Sequence, residues 1–242
     1  MQILVRENIL KYEQIGHGDK NLLILHGWGR SLGEWVPVAH SLTGYTITIL
    51  DLPGFGGSSD VMESMDTYAY AEIVLEFMKK LELSPCVILG HSFGGRIATI
   101  LASQYPDVVS KIILVDAGGI EIKSFKIKAK ILFYKLILKH FKNLVPRRIR
   151  NFFGSSNYRA LSGNLRKSFV KIVNQDLRLL FSTIKQPVSV IWGSNDGVLP
   201  VQYVKIYRRL IPQALIRIVW NAGHCPHVEK QKDFIGILKE VL

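Results

Sequence analysis

Apolar positions in this chain cluster in two kinds of run. Short, nearly continuous apolar stretches recur at Leu22–Leu25, Thr46–Leu50, Val87–Leu89, Ile112–Val115, Val188–Trp192 and Ile216–Val219. Runs of that length without polar alternation belong to strands buried on both faces. Ile3–Val5 and Ile9–Gln14 alternate instead and predict a hairpin ahead of them. Longer stretches predict helices over Leu32–Leu42, Thr67–Leu81, Gly94–Gln104, Val201–Leu210 and Lys232–Val241. Strands alternating with helices predict an α/β fold, with a mostly parallel eight-stranded sheet flanked by helices.

The alternation breaks between Gly118-Gly119 and Pro187. The organisation expected is therefore a core of residues 1–119 and 186–242, with residues 120–185 forming a helical insertion after the sixth strand. Charge sharpens this picture. The chain carries a net +12, yet residues 121–185 hold 16 Lys+Arg against only Glu121 and Asp176. The remainder is slightly acidic, so the excess positive charge is regional. Lys128, Lys135, Lys139 and Lys142 are spaced to share one face of a helix whose other side is apolar. The expectation is a cap whose lysines face solvent. Transient contact with an anionic membrane or an anionic substrate is left open.

With 242 residues, 48% of them hydrophobic and 21% charged, the chain is long enough for a full core and too apolar for disorder. Met1 to Ile15 alternates and bears Arg6, Glu7, Lys11 and Glu13, unlike a secretory signal. No uncharged apolar stretch approaches a membrane span. Cys86 and Cys225 are the two cysteines, and Cys86 opens a buried strand, so no disulfide is required and a cytoplasmic location is expected. No ligand-spaced His/Cys/carboxylate cluster implies a metal, and no Gly-rich dinucleotide fingerprint implies a cofactor. No aromatic-basic motif accompanies the charge, so nucleic acid is not an expected partner.

The chemistry centres on Gly90-His91-Ser92-Phe93-Gly94, which joins the apolar run Val87–Leu89 to a helix. Ser92 then lies on a sharp strand-to-helix turn, flanked by glycines where the backbone approaches neighbouring chain, and over the positive end of a helix dipole. A serine nucleophile needs a base, and the base needs an acid to orient it. His224 lies in the loop after Ile216–Val219 and Asp196 in the loop after Val188–Trp192. Loops that follow parallel strands converge on one sheet edge, so the three can meet. The strand Leu22–Leu25 runs into His26-Gly27-Trp28-Gly29, whose Trp28 amide can join that of Phe93 in holding an oxyanion. Gly27 and Gly29 permit the tight path of this loop, Gly90 and Gly94 support the elbow, and His26 and His91 pack the two loops. Asp51 is expected to organise its own loop, and His227 to cap or hydrogen-bond the helix that follows it.

The stretches His26-Gly27-Trp28-Gly29, Asp51-Leu52-Pro53-Gly54-Phe55-Gly56-Gly57-Ser58-Ser59, Gly90 to Gly95, Trp192 to Asp196 and Ala222 to Glu229 together resemble the α/β-hydrolase fold family. The similarity is to its small, cofactor-free branch with a helical cap. It implies Ser92, Asp196 and His224 as a triad and Trp28 and Phe93 as oxyanion donors. Some members place the acid after the sixth strand, so Asp116 rivals Asp196. The function expected is hydrolysis of small carboxylic esters through an acyl-enzyme. Cleavage of C–C bonds or thioesters in an anionic substrate is the alternative within enzymes. A small-molecule receptor that retains a hydrolase pocket is the alternative outside them. Monomer and dimer are both compatible with the sequence.

Overall fold

The computed structural model describes residues 1–120 and 163–242. Eight strands form one sheet: β1 (Gln2–Val5), β2 (Asn8–Ile15), β3 (Lys20–Leu25), β4 (Tyr45–Leu50), β5 (Cys86–His91), β6 (Val109–Val115), β7 (Val188–Gly193) and β8 (Leu215–Val219). Their order is β1-β2-β4-β3-β5-β6-β7-β8. β2 pairs antiparallel with both β1 and β4, and the five other pairings are parallel. The described helices, numbered in chain order, are α1 (Val36–Ala39), α2 (Thr67–Lys80), α3 (Phe93–Gln104), α4 (Gly163–Asn174), α5 (Arg178–Phe181), α6 (Tyr203–Leu210), α7 (Pro226–Glu229) and α8 (Gln231–Val241).

The continuous apolar runs are explained by burial of the sheet on both faces. Leu23, Leu25, Ile88, Ile112 and Leu114 point into one layer with Tyr70 and Phe77 of α2 and Ile97 and Leu101 of α3. Their strand neighbours Leu22, Ile24, Leu89, Ile113 and Val115 point into the other, with Trp35, Val38, Phe234 and Leu238. A polar side chain on either face would lose its water, which excludes the polar alternation seen at the hairpin.

All eight predicted strands are present. The helix expected over Leu32–Leu42 is not continuous: a short 3-10 turn at Leu32–Glu34 precedes the single turn of α1. Two causes are local. The amide of Leu32 donates to the carboxylate of Asp51 at 2.6 Å, and Pro37 sits at the start of α1, where it has no N–H to continue a ladder. The insertion after β6 is described only from residue 163, where α4 and α5 occupy its second half. The lysine face at Lys128–Lys142 and the acidic Glu121 lie outside the described residues.

Register places the chemistry. Leu25 pairs with Gly90, His91 with Val115, Val115 with Ile191, and Gly193 with Val219. The C-terminal ends of β3, β5, β6, β7 and β8 therefore lie side by side. The chain passes from β3 to β4 on one side and to β5 on the other, leaving a crevice above β3 where strand order reverses.

Candidate active site

Ser92 is the turning point between β5 and α3. Its backbone has φ 49° and ψ −102°, a conformation that costs a non-glycine residue about 1–3 kcal/mol. Neighbouring backbone holds it there: the Ser92 amide donates to Val115 O at 2.9 Å, and its carbonyl accepts from Gly118 at 3.0 Å. Close approach explains the flanking glycines. A Cβ on Gly90 would lie 2.4 Å from the Gly94 carbonyl oxygen, and one on Gly94 would lie 2.2 Å from that of Leu25. Although serine is a favoured helix N-cap, the Ser92 hydroxyl caps nothing. It faces His224 instead.

His224 Nε2 lies 3.0 Å from Ser92 Oγ, and His224 Nδ1 lies 2.7 Å from Asp196 Oδ2. Asp196 is buried, and its other oxygen accepts from the amides of Val198 and Leu199 at 2.7 and 2.8 Å. Both carboxylate oxygens are thus satisfied, which compensates the burial of the charge. This fixes the tautomer: Nδ1–H donates to Asp196, leaving the Nε2 lone pair for the serine proton. The loop carrying His224 is held from two sides. His91 Nε2–H donates to the His224 carbonyl at 2.8 Å. Glu229 accepts from the amides on either side of the histidine, Gly223 at 2.6 Å and Cys225 at 3.0 Å.

The loop that follows β3 is tied to the elbow by the Gly94 amide, which donates to His26 O at 3.2 Å. The His26 ring is itself locked, Nδ1 donating to Gly27 O at 2.7 Å and Nε2 accepting from Leu52 N at 3.0 Å. Gly27 permits the close packing, since a Cβ there would lie 2.7 Å from His91 Nδ1. The amides of Trp28 and Phe93 have no acceptor among the described residues. Their side chains meet edge to face at 5.2 Å and line the cavity. That cavity, of about 410 Å³, also contains Ser92, His224, Arg96, Phe169, Ile172, Val173, Val198 and Leu199. A second cavity of about 320 Å³, lined by Arg6, Asn8, Met62 and Met65 among others, holds no such arrangement.

Asp116 follows β6 as the sequence suggests, with a positive φ of 41° and full burial. One of its oxygens accepts from Gly193 N at 2.9 Å; the other has no hydrogen-bond partner. Burial pushes its pKa well above the usual carboxylate range, and the neighbouring Asp196 adds to the effect. The carboxyl hydrogen-bonded to the imidazole is that of Asp196, while Asp116 bonds to the Gly193 amide instead. A ring nitrogen and one oxygen from each carboxyl group lie within 4.8 Å of one another. His224 Nδ1 is turned to Asp196 as a donor, so this grouping lacks the free lone pairs of a metal site. Asp51 organises its loop, accepting from Leu32 N and Gly57 N at 2.6 and 2.8 Å.

His227 departs from expectation. It lies inside α7, stacked on Trp35 at 4.0 Å and 8°, with Nε2 3.5 Å from Glu34. The aromatic wall of Trp35 outcompetes a capping role because burying the ring removes more apolar surface from water. Burial lowers the pKa of His26, His91 and His227 alike, so these three rings are neutral structural parts. Sequence reasoning missed Glu229 and Arg96. Glu229 has a signal, a carboxylate five residues past His224 on a one-turn helix; Arg96 has one in its position a single turn beyond Ser92.

Residues 20–154 match the family model of the alpha/beta hydrolase fold. The chain is 28% identical over 232 residues to Lipase 3 of Moraxella sp. (strain TA144), an alignment covering 88% of this chain and 74% of that one. It is 27% identical to the pimeloyl-[acyl-carrier protein] methyl ester esterase of Pseudoalteromonas atlantica, over 96% of this chain and 97% of the other. A crystal structure of a membrane phospholipase A superposes with a TM-score of 0.81 at 25% identity, covering 100% of this chain and 84% of that one. Fold, strand order and family model agree: the chain belongs to the alpha/beta hydrolase fold family.

Proposed function

We propose that this protein hydrolyses small carboxylic esters through a Ser-His-Asp triad and an acyl-enzyme. The observation that carries the reading is the unbroken line from Asp196 Oδ2 to His224 Nδ1 at 2.7 Å and from His224 Nε2 to Ser92 Oγ at 3.0 Å, ending in a cavity beside two amides that have no acceptor among the described residues. The lipase and methyl ester esterase relatives support ester bonds as the target. His224 takes the serine proton as Oγ attacks the acyl carbon, and Asp196 stabilises the imidazolium that forms. The amides of Trp28 and Phe93 hold the tetrahedral oxyanion, a contribution of about 3–4 kcal/mol per donor in comparable sites. His224 then protonates the departing alcohol, and water repeats the route on the acyl-enzyme. Phe169, Ile172 and Val173 of α4 supply apolar contacts for the substrate.

The test is turnover of 4-nitrophenyl esters from acetate to palmitate, with acyl-CoA thioesters and an anionic vinylogous diketone alongside. Multiple turnovers on a carboxylic ester are expected, with kcat falling about 10⁴- to 10⁶-fold in Ser92→Ala. Turnover of only the thioester or the diketone would reassign the bond cleaved, and a single turnover coupled to partner binding would favour a receptor.

A further inference from the structure

The cavity above Ser92 contains a cation, Arg96, that hydrogen-bonds to no carboxylate among the described residues. Arg96 lies on α3 one helical turn past Ser92, so the two side chains share a helix face, and both line the cavity. The other charged groups there are engaged. Arg30 pairs with Glu34 at 2.8 Å, and Glu229 accepts from the Gly223 and Cys225 amides. Arg96 Nη1 donates to the carbonyls of Ile172 and Gln175 at 2.8 and 2.9 Å, at the end of α4. Five N–H donors make up a guanidinium fork, so those on Nε and Nη2 remain without an acceptor among the described residues. Nε faces Gly118, another residue of the cavity wall, where an added Cβ would lie 2.7 Å away.

The surroundings make this charge costly. Burial lowers the Arg96 pKa, opposed by Tyr207, Asp176 and Tyr203 in that order, while the Asp176 carboxylate is itself held by Arg178. Arginine does not relieve the strain by losing its proton. The two helix carbonyls offer it partial charge only. A carboxylate delivered by a ligand would match the planar fork and neutralise the charge in a site walled by Trp28, Phe93 and Phe169.

From this placement we infer that Arg96 binds a carboxylate carried by the substrate while Ser92 attacks the ester carbonyl of the same molecule. The inference rests on the ester-hydrolase reading above and narrows it to carboxylate-bearing esters. The substrates would be half-esters of dicarboxylic acids if the charge is on the acyl side, or esters of hydroxy acids if it is on the alcohol side.

Two matched pairs test it: mono-4-nitrophenyl glutarate against 4-nitrophenyl valerate, and O-butyrylglycolate against propyl butyrate. In at least one pair kcat/KM for the charged member is expected to exceed that of the neutral one by about 10- to 100-fold, mostly through KM. Arg96→Gln should bring that ratio to one or below, and Arg96→Lys should retain part of it. Each ratio is internal to one variant, so loosening of α4 acts on both members and cancels. A wild-type ratio at or below one in both pairs, or a ratio unchanged in Arg96→Gln, overturns the inference. Should the variant not fold, the wild type still decides: glutarate should inhibit valerate ester turnover competitively where glutaramide does not, and equal behaviour of the two rejects the carboxylate site. Wild-type enzyme that turns over no ester sinks the ester reading itself, and a thermal shift with glutarate against glutaramide then judges Arg96 separately.

Discussion

The floor and the wall of the cavity are built by different means. The floor, comprising Ser92, His224, Asp196 and the amides of Trp28 and Phe93, stands on loops at the ends of β3, β5, β7 and β8. Nearly every part of it is held by a backbone hydrogen bond: Ser92 to Val115 and Gly118, Asp196 to Val198 and Leu199, His224 to His91. The wall draws on side chains of α3 and α4, where Arg96, Phe169, Ile172 and Val173 meet through packing and a pair of helix-end carbonyls. On the proposed function, the floor would carry the reaction and the wall the selection of substrate. Backbone-fixed geometry survives changes of side chain elsewhere, whereas a wall of side chains can change without disturbing the floor.

The sharpest way to break this contrast is at Asp196. Asp196→Asn is expected to reduce kcat by about 10⁴-fold for every substrate, because the amide favours the wrong imidazole tautomer. Steady-state rates on a charged and a neutral ester check it; a loss confined to one substrate class would mean that floor and wall are not separable. The same comparison of Asp196→Asn with Asp116→Asn distinguishes the two carboxyl groups, since only the former is bonded to His224. A smaller effect is expected at Glu229. Glu229→Gln keeps an acceptor but loses charge and one of two amide contacts, so kcat should fall about 10- to 100-fold through displacement of His224, with KM nearly constant. A rise in KM without loss of kcat would move Glu229 from the floor to the wall.

The smallest effect concerns stability. His26, His91 and His227 have folded pKa values depressed by burial, so the unfolded chain binds their protons first as pH falls. Their contribution is complete above the ordinary histidine value of about 6.5 and is lost as pH drops from there towards the depressed folded values. Each ring then contributes a loss of up to about 1.4 kcal/mol per pH unit. Melting temperatures between pH 7.5 and 5.5 should decline, and His227→Phe, which keeps the stack on Trp35, should shallow the slope. A slope unchanged in that variant would remove His227 from the account.

Much of this was legible in the order of residues. Strand runs such as Leu22–Leu25 and Ile112–Val115 declare themselves because both faces of a central strand must be apolar. Ser92 was legible because its neighbours must be small where backbones come within contact distance. The break in the helix predicted at Leu32–Leu42 was not, since it depends on Asp51, a residue of another loop, capturing the Leu32 amide. Nor was the place of His227, which follows from Trp35 lying opposite it.

The sequence by itself determined the alternation of strands and helices and the tight turn at Ser92, because these depend on periodicity and on short-range sterics. Tertiary structure alone decided which carboxyl group meets His224, how Glu229 brackets that histidine, and that Arg96 lines the cavity of Ser92 with no carboxylate bonded to it among the described residues. Those facts depend on distances between residues far apart in the chain, and only the register of the parallel strands sets such distances.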